Sequence, residues 1–145
     1  MISRATDERF MRMALKEAAL GDFPFGALIV KDGEAISTGR NLGETNDDPT
    51  AHAEMVALRG VIAAYGSARL RDSTLYATGE PCPMCMGAII WCGVGRLVYA
   101  ASIEQLAQRI GQIDAPCRDL ARRARFAEIC IEGGLLADEA LALFD

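Results

Sequence analysis

Histidine is nearly absent from this chain: among 145 residues there is one, His52. Long apolar runs are missing too. The longest, "FGALIV" (25–30) and "MGAIIWCGVG" (86–95), fall far short of the ~18 residues that a membrane span requires, so no membrane partner is expected. The opening "MISRATDERF" lacks the apolar core of a secretory signal, and no repeat, linker or low-complexity tract interrupts the rest of the chain. Positive charge is in deficit, with 15 Lys and Arg against 20 Asp and Glu and a net charge of -5. That balance argues against a surface that tracks phosphates, because such surfaces draw their affinity from clustered Lys and Arg. The five cysteines are an odd number, and without a secretion signal they point to metal or redox chemistry in a reducing compartment rather than to a disulfide framework. A cytoplasmic, soluble protein folded as a single domain over residues 1–145 is the expectation.

What is present is a clear alternation of periods. "TDERFMRMALKEAALGD" (6–22) carries Phe10, Ala14, Leu15 and Ala18 on one stripe and reads as an amphipathic helix ending at Gly21. "PFGALIVKDGEAISTGRN" (24–41) reads as two strands joined at Asp32-Gly33, a strong hairpin signal. "PTAHAEMVALRGVIAAYG" (49–66) predicts a helix opened by Pro49-Thr50 and closed near Gly66. "STLYAT" is a strand, "PCPMCMGAIIWCGVG" (81–95) a third helix, and "RLVYAAS" a further strand. From Ile103 onward the pattern predicts mostly helix, with a short strand near "AEICIEGG". A hairpin followed by strand–helix–strand alternation predicts an α/β domain of three layers, α/β/α, around a mixed sheet.

Two short motifs carry chemistry. "HAE" puts Glu54 two positions after His52, and "PCPMC" puts Cys82 and Cys85 at the start of the third helix. Cys-x-x-Cys alone is ambiguous between zinc, thiol redox chemistry and coincidence, and a redox reading leaves His52 and Glu54 without a role. As a zinc site, one nitrogen and two thiolates leave the fourth tetrahedral position open, the arrangement of a catalytic rather than a structural site. Helix N-termini favour the thiolates that zinc needs. A structural zinc module would want a fourth ligand. Cys92, Cys117 and Cys130 lack suitable spacing for that and read as small buried apolar residues.

His-Ala-Glu followed by Pro-Cys-x-x-Cys resembles the cytidine-deaminase-like superfamily of zinc-dependent deaminases. Within it, "DPTAHAEMVALR" and "LYATGEPCPMCMGAIIW" resemble the branch of bacterial guanine deaminases, tRNA-specific adenosine deaminases and fungal-type cytosine deaminases. The resemblance runs from about residue 6 to 101 and thins after Ser102. It implies a five-stranded mixed sheet, one Zn²⁺ per subunit on His52, Cys82 and Cys85, Glu54 as acid and base, and a homodimer or larger assembly. It also implies a base-binding Asn41 and contacts from the backbone of Ala53 and Glu80. Phe25 and Trp91 are expected to sandwich a planar ring, and "PFGA" with a tryptophan in the third helix resembles the guanine deaminases. A small-molecule nucleobase, guanine first, is thus the expected substrate. A tRNA substrate is the second reading, because Arg118, Arg122, Arg123 and Arg125 form a basic run, here read mainly as a solvated helical face. Cytosine, cytidine or an amino-triazine comes third.

Overall fold

The computed structural model describes residues 2–145. Helix α1 (Arg4–Leu20) begins where the Ser3 hydroxyl accepts the Thr6 N–H at 3.2 Å. It buries Phe10, Ala14 and Ala18 of the predicted stripe together with Met11, while Leu15 is half-buried. Strands β1 (Gly26–Lys31) and β2 (Glu34–Arg40) form the expected hairpin. Asp32 and Gly33 both have positive φ, 52° and 79°, the backbone that matches a two-residue turn to the twist of its strands. After α2 (Ala53–Tyr65) come β3 (Thr74–Gly79), α3 (Pro83–Trp91) and β4 (Arg96–Ala101).

The sheet has five strands in the order β2-β1-β3-β4-β5, with β5 at Cys130–Glu132. β1 pairs antiparallel with β2 and β3, while β3–β4 and β4–β5 are parallel. It is the mixed sheet expected. Every residue of β3 is buried, as a strand covered on both faces must be. Alternation along the strands divides the core in two. Ala27, Ile29, Leu75, Ala77, Leu97 and Tyr99 pack with α2 and α3 on one face. Leu28, Val30, Tyr76, Val98 and Ala100 pack with α1 and the C-terminal helix on the other.

Two expectations are corrected. Helix α2 begins at Ala53 rather than at Pro49-Thr50. The Asp48 carboxylate accepts both the N–H and the hydroxyl of Thr50, at 2.9 and 2.7 Å, and this local turn competes with helical bonding. His52 is left as the N-cap. The region after Ile103 is not mostly helical. It contains α4 (Ile103–Leu106), α5 (Cys117–Arg123) and α6 (Ala137–Ala142), of 4, 7 and 6 residues, separated where Gly111, Pro116 and the Gly133-Gly134 pair interrupt the pattern. No helix among the described residues is long and apolar enough to cross a membrane.

Candidate active site

The topology brings two helix N-termini to one place. β3 ends at Gly79 and the chain passes through Glu80 and Pro81 into α3, so Cys82 becomes its N-cap, with Pro83 in the first turn and Cys85 fully buried. Proline is preorganised for that position and loses no hydrogen bond there. His52 is the N-cap of α2, with its side chain free of any capping bond. Gly39 of β2 lets the two elements meet: a Cβ on it would lie 2.1 Å from the Ala53 carbonyl oxygen. The start of α2 is thereby pressed onto the sheet, and Glu54 is carried inward to 7% exposure.

The sulfurs of Cys82 and Cys85 each lie 3.6 Å from His52 Nδ1. Zinc with Zn–S of about 2.3 Å and Zn–N of about 2.05 Å in tetrahedral geometry separates sulfur from nitrogen by about 3.6 Å. Both sulfur–nitrogen separations therefore match tetrahedral zinc, and all three donor atoms lie within 4.8 Å of one another. Among the described residues no further His, Cys, Asp or Glu joins this group, which leaves the fourth position open to a reactant. The thiol of Cys85, hydrogen-bonded to Cys82, and the neighbouring imidazole bring Cys82 down to about 4. The same bond and burial hold the Cys85 thiol far above its ordinary value. Contact with Cys82 raises His52, so loading the metal releases protons from this cluster. Burial pushes the Glu54 carboxyl up to about 7 in the metal-free cluster.

A cavity of about 480 Å³ opens over this cluster, with His52, Glu54 and Cys82 in its wall. Asn41 and Phe25 line it as well. The Asn41 Oδ1 accepts the Gly43 N–H at 2.9 Å, and among the described residues its amide NH2 has no partner, so that group is the one left to face a ligand. Phe25 is braced edge-on by Phe144, with ring centroids 5.3 Å apart. Ala53 is fully buried at the first position of α2, next to Glu54.

Trp91 is not brought to this cavity. It sits at the far end of α3, 78% exposed, and stacks on Phe126 at 4.8 Å. The apolar, nearly featureless pattern of α3 conceals which side faces in. Cys130 is exposed rather than buried, Cys92 is half-buried, and Cys117 is buried as expected. The sequence reading missed Phe23, Glu44, Ile110 and Gln112, all in the cavity wall. They lie in irregular segments where no period marks an inward face; the nearness of Phe23 to Phe25 was the only signal.

A zinc-type deaminase centre, with one imidazole, two thiolates and an unligated carboxylate at paired helix N-termini, is the class this geometry defines. The comparisons agree. Residues 4–101 match the model of the cytidine and deoxycytidylate deaminase zinc-binding region, and the chain belongs to that family. It is 43% identical to the guanine deaminase of Bacillus subtilis over 106 residues, covering 70% of this chain and 68% of that one. It is 50% identical to the chloroplastic tRNA(adenine(34)) deaminase of Arabidopsis thaliana over 102 residues, but these are 68% of this chain and only 8% of the relative's length. A solved structure in complex with 2,6-diaminopurine superposes with a TM-score of 0.82 at 28% identity, covering 95% of this chain and 79% of the other.

Proposed function

We propose that this chain is a hydrolytic deaminase of a free amino-substituted nucleobase, with guanine as the first substrate. The observation that carries the reading is the wall of the cavity. An aromatic face (Phe25) and an amide (Asn41) stand over the ligand cluster, the rim bears Glu44, Asp47 and Asp48, and no Lys or Arg lines it. An uncharged planar base suits that wall, whereas a phosphate at the mouth would meet like charge.

His52, Cys82 and Cys85 would hold zinc, and zinc supplies the lowering of a water's pKa from about 16 towards 7 that makes hydroxide available at neutral pH. Glu54 takes the water proton and delivers it to the ring nitrogen beside the amino-bearing carbon. The water oxygen bonds to that carbon, Glu54 takes the remaining proton from the new hydroxyl and gives it to the departing amine as the carbon–nitrogen bond breaks, so water and the amine become the oxo product and ammonia. Asn41 and Phe25 hold the ring in register, and Ala53 fixes Glu54 by anchoring the first turn of α2.

A second reading, deamination of adenosine in tRNA, is favoured by the Arabidopsis relative, by the greater number of relatives with tRNA deaminase names, and by the exposed Arg122, Arg123 and Arg125. These arginines are not in the cavity wall. The reducing cytoplasm suits the two zinc-binding thiols, and a homodimer suits the exposed Trp91–Phe126 face. The deciding experiment is ammonia release by the zinc-loaded protein from guanine, adenine, cytosine, their nucleosides, an amino-triazine and an anticodon stem-loop. Turnover of guanine is expected; turnover of the stem-loop alone would replace this reading with the second one.

A further inference from the structure

Glu80 is buried, and among the described residues no Lys or Arg pairs with its carboxylate. Its two oxygens accept backbone N–H groups instead, Oε1 from Ile103 at 2.9 Å and Oε2 from Cys117 at 2.7 Å. Ile103 opens α4 and Cys117 opens α5. The first N–H groups of a helix have no partner within it. In α4 the Ser102 hydroxyl already serves Gln105, and in α5 the N-cap is Pro116, which has no side-chain acceptor. Glu80 thus supplies what both helix starts lack.

Between those anchors runs the segment 104–116, whose Ile110, Gly111 and Gln112 form part of the cavity wall. Its backbone bonds are local, such as Ile110 N–H to the Leu106 carbonyl at 3.0 Å and Ala115 N–H to the Ile113 carbonyl at 2.8 Å. Leu106 anchors its first turn in the core and the Gln105 side chain accepts the Ser102 N–H at 2.9 Å; beyond Leu106 the one side-chain hydrogen bond it makes elsewhere among the described residues is a long one, Arg109 to Asp145 at 3.4 Å. Glu80 itself is fixed, with its N–H donating to the Ala101 carbonyl at 2.7 Å, and Cys82 lies two positions further on.

We infer that Glu80 is a positioning residue, whose carboxylate staples both ends of the 104–116 segment to the zinc-binding turn and so sets the distance between the reaction centre and the substrate-facing wall. This inference uses the deaminase reading only in its kinetic consequence; the staple itself is independent of the substrate.

Glu80→Gln replaces one acceptor with an NH2 that would face an N–H donor. Hydrogen exchange across 104–116 is expected to quicken about tenfold or more, with zinc still at one per chain. With guanine as substrate, KM rises about tenfold while kcat changes by less than about threefold, the pattern of lost binding rather than lost chemistry. Glu80→Asp, with both acceptors on a shorter arm, restores part of the protection. A second pair tests the staple from its other end, with Glu80 intact. Cys117→Pro deletes one donor at a first-turn position that tolerates proline, and Cys117→Ala keeps it. Faster exchange in 111–117 for the proline variant alone is expected. Wild-type exchange in Glu80→Gln, or equal exchange in the two Cys117 variants, overturns the inference. So does a fall in kcat with loss of zinc and no loosening of the segment. If guanine is not turned over, the kinetic arm is silent, but exchange and zinc content still decide about Glu80. Should Glu80→Gln fail to fold, the Cys117 pair decides.

Discussion

His52 and Glu54 lie two positions apart, yet the first turn of α2 gives them different surroundings. His52, as N-cap, points its Nδ1 at two sulfurs, while Glu54 is inside the helix and buried beside them. Because Glu54 is not a ligand, Glu54→Ala should retain one zinc per chain by metal analysis. Ammonia release should fall by about 10²- to 10⁴-fold, the span assigned to positioned acid–base groups; near-normal turnover would remove Glu54 from the reaction. Phe25 makes a different prediction. Phe25→Ala removes a ring face braced by Phe144 and should raise KM with a smaller change in kcat, read in steady-state kinetics with guanine. Metal removal tests the ligand set: a chelator should abolish turnover and added zinc should restore it, whereas Cys82→Ala should not be restored. The ligands were legible in the sequence because thiolate and imidazole donors are few and their spacing is constrained by helix starts. That Trp91 stands away from the cavity was not legible, because a helix apolar on all sides does not declare its inner face, and side-chain direction there is set by packing that no local pattern records.

At the level of elements, the end of the sheet away from the site is held by Asp7, Tyr76 and Arg96. The Arg96 guanidinium at the start of β4 donates to both oxygens of Asp7 in α1, at 2.8 and 2.6 Å, and the Tyr76 hydroxyl donates to Asp7 Oδ1 at 2.6 Å. The hydrogen bond from Arg96 is the main reason the Asp7 carboxyl lies below its ordinary value. A carboxyl lowered on folding contributes stability in full above its unfolded value, near pH 4. That contribution disappears as pH falls through the lower folded value. Asp7→Asn should therefore cost roughly 3 kcal/mol at pH 7, the order found when one partner of a buried ion pair is removed. Its penalty should shrink towards zero in acid, when both variants are compared by urea denaturation between pH 2.5 and 7. KM should not move, because the network stands at the opposite end of the strands from Cys82. Regular elements such as α1, the hairpin and β3 were readable from period alone. The start of α2 and the segment 107–116 were not, since an Asp48 side-chain turn precedes the first and the second runs between two helix starts that Glu80, distant in sequence in the turn after β3, serves as acceptor.

The whole molecule presents one face that its own chain leaves uncovered. Trp91 and Phe126 are 78% and 63% exposed and stacked on one another. Soluble monomers seldom present contiguous large apolar side chains in this way, and such patches mark association surfaces. A second copy is the partner that the proposed homodimer assigns to this face. Trp91 stands at the last position of α3, with Cys82 and Cys85 at its first turn, so the face and the metal cluster are separated by the length of the helix. Trp91→Glu should convert a dimer to a monomer in sedimentation at micromolar concentration, with zinc content unchanged. Each chain carries a net charge of -5, so bringing two together costs a repulsion that salt screens. If apolar contact holds the pair, raising the salt from 0.05 to 0.5 M, concentrations chosen to shorten the screening length from above to below about 10 Å, should tighten the wild-type dimer. Salt-induced dissociation would show that ion pairs hold it instead, and Arg122 and Arg123 of α5 with Arg125 just beyond it would then be the groups to substitute.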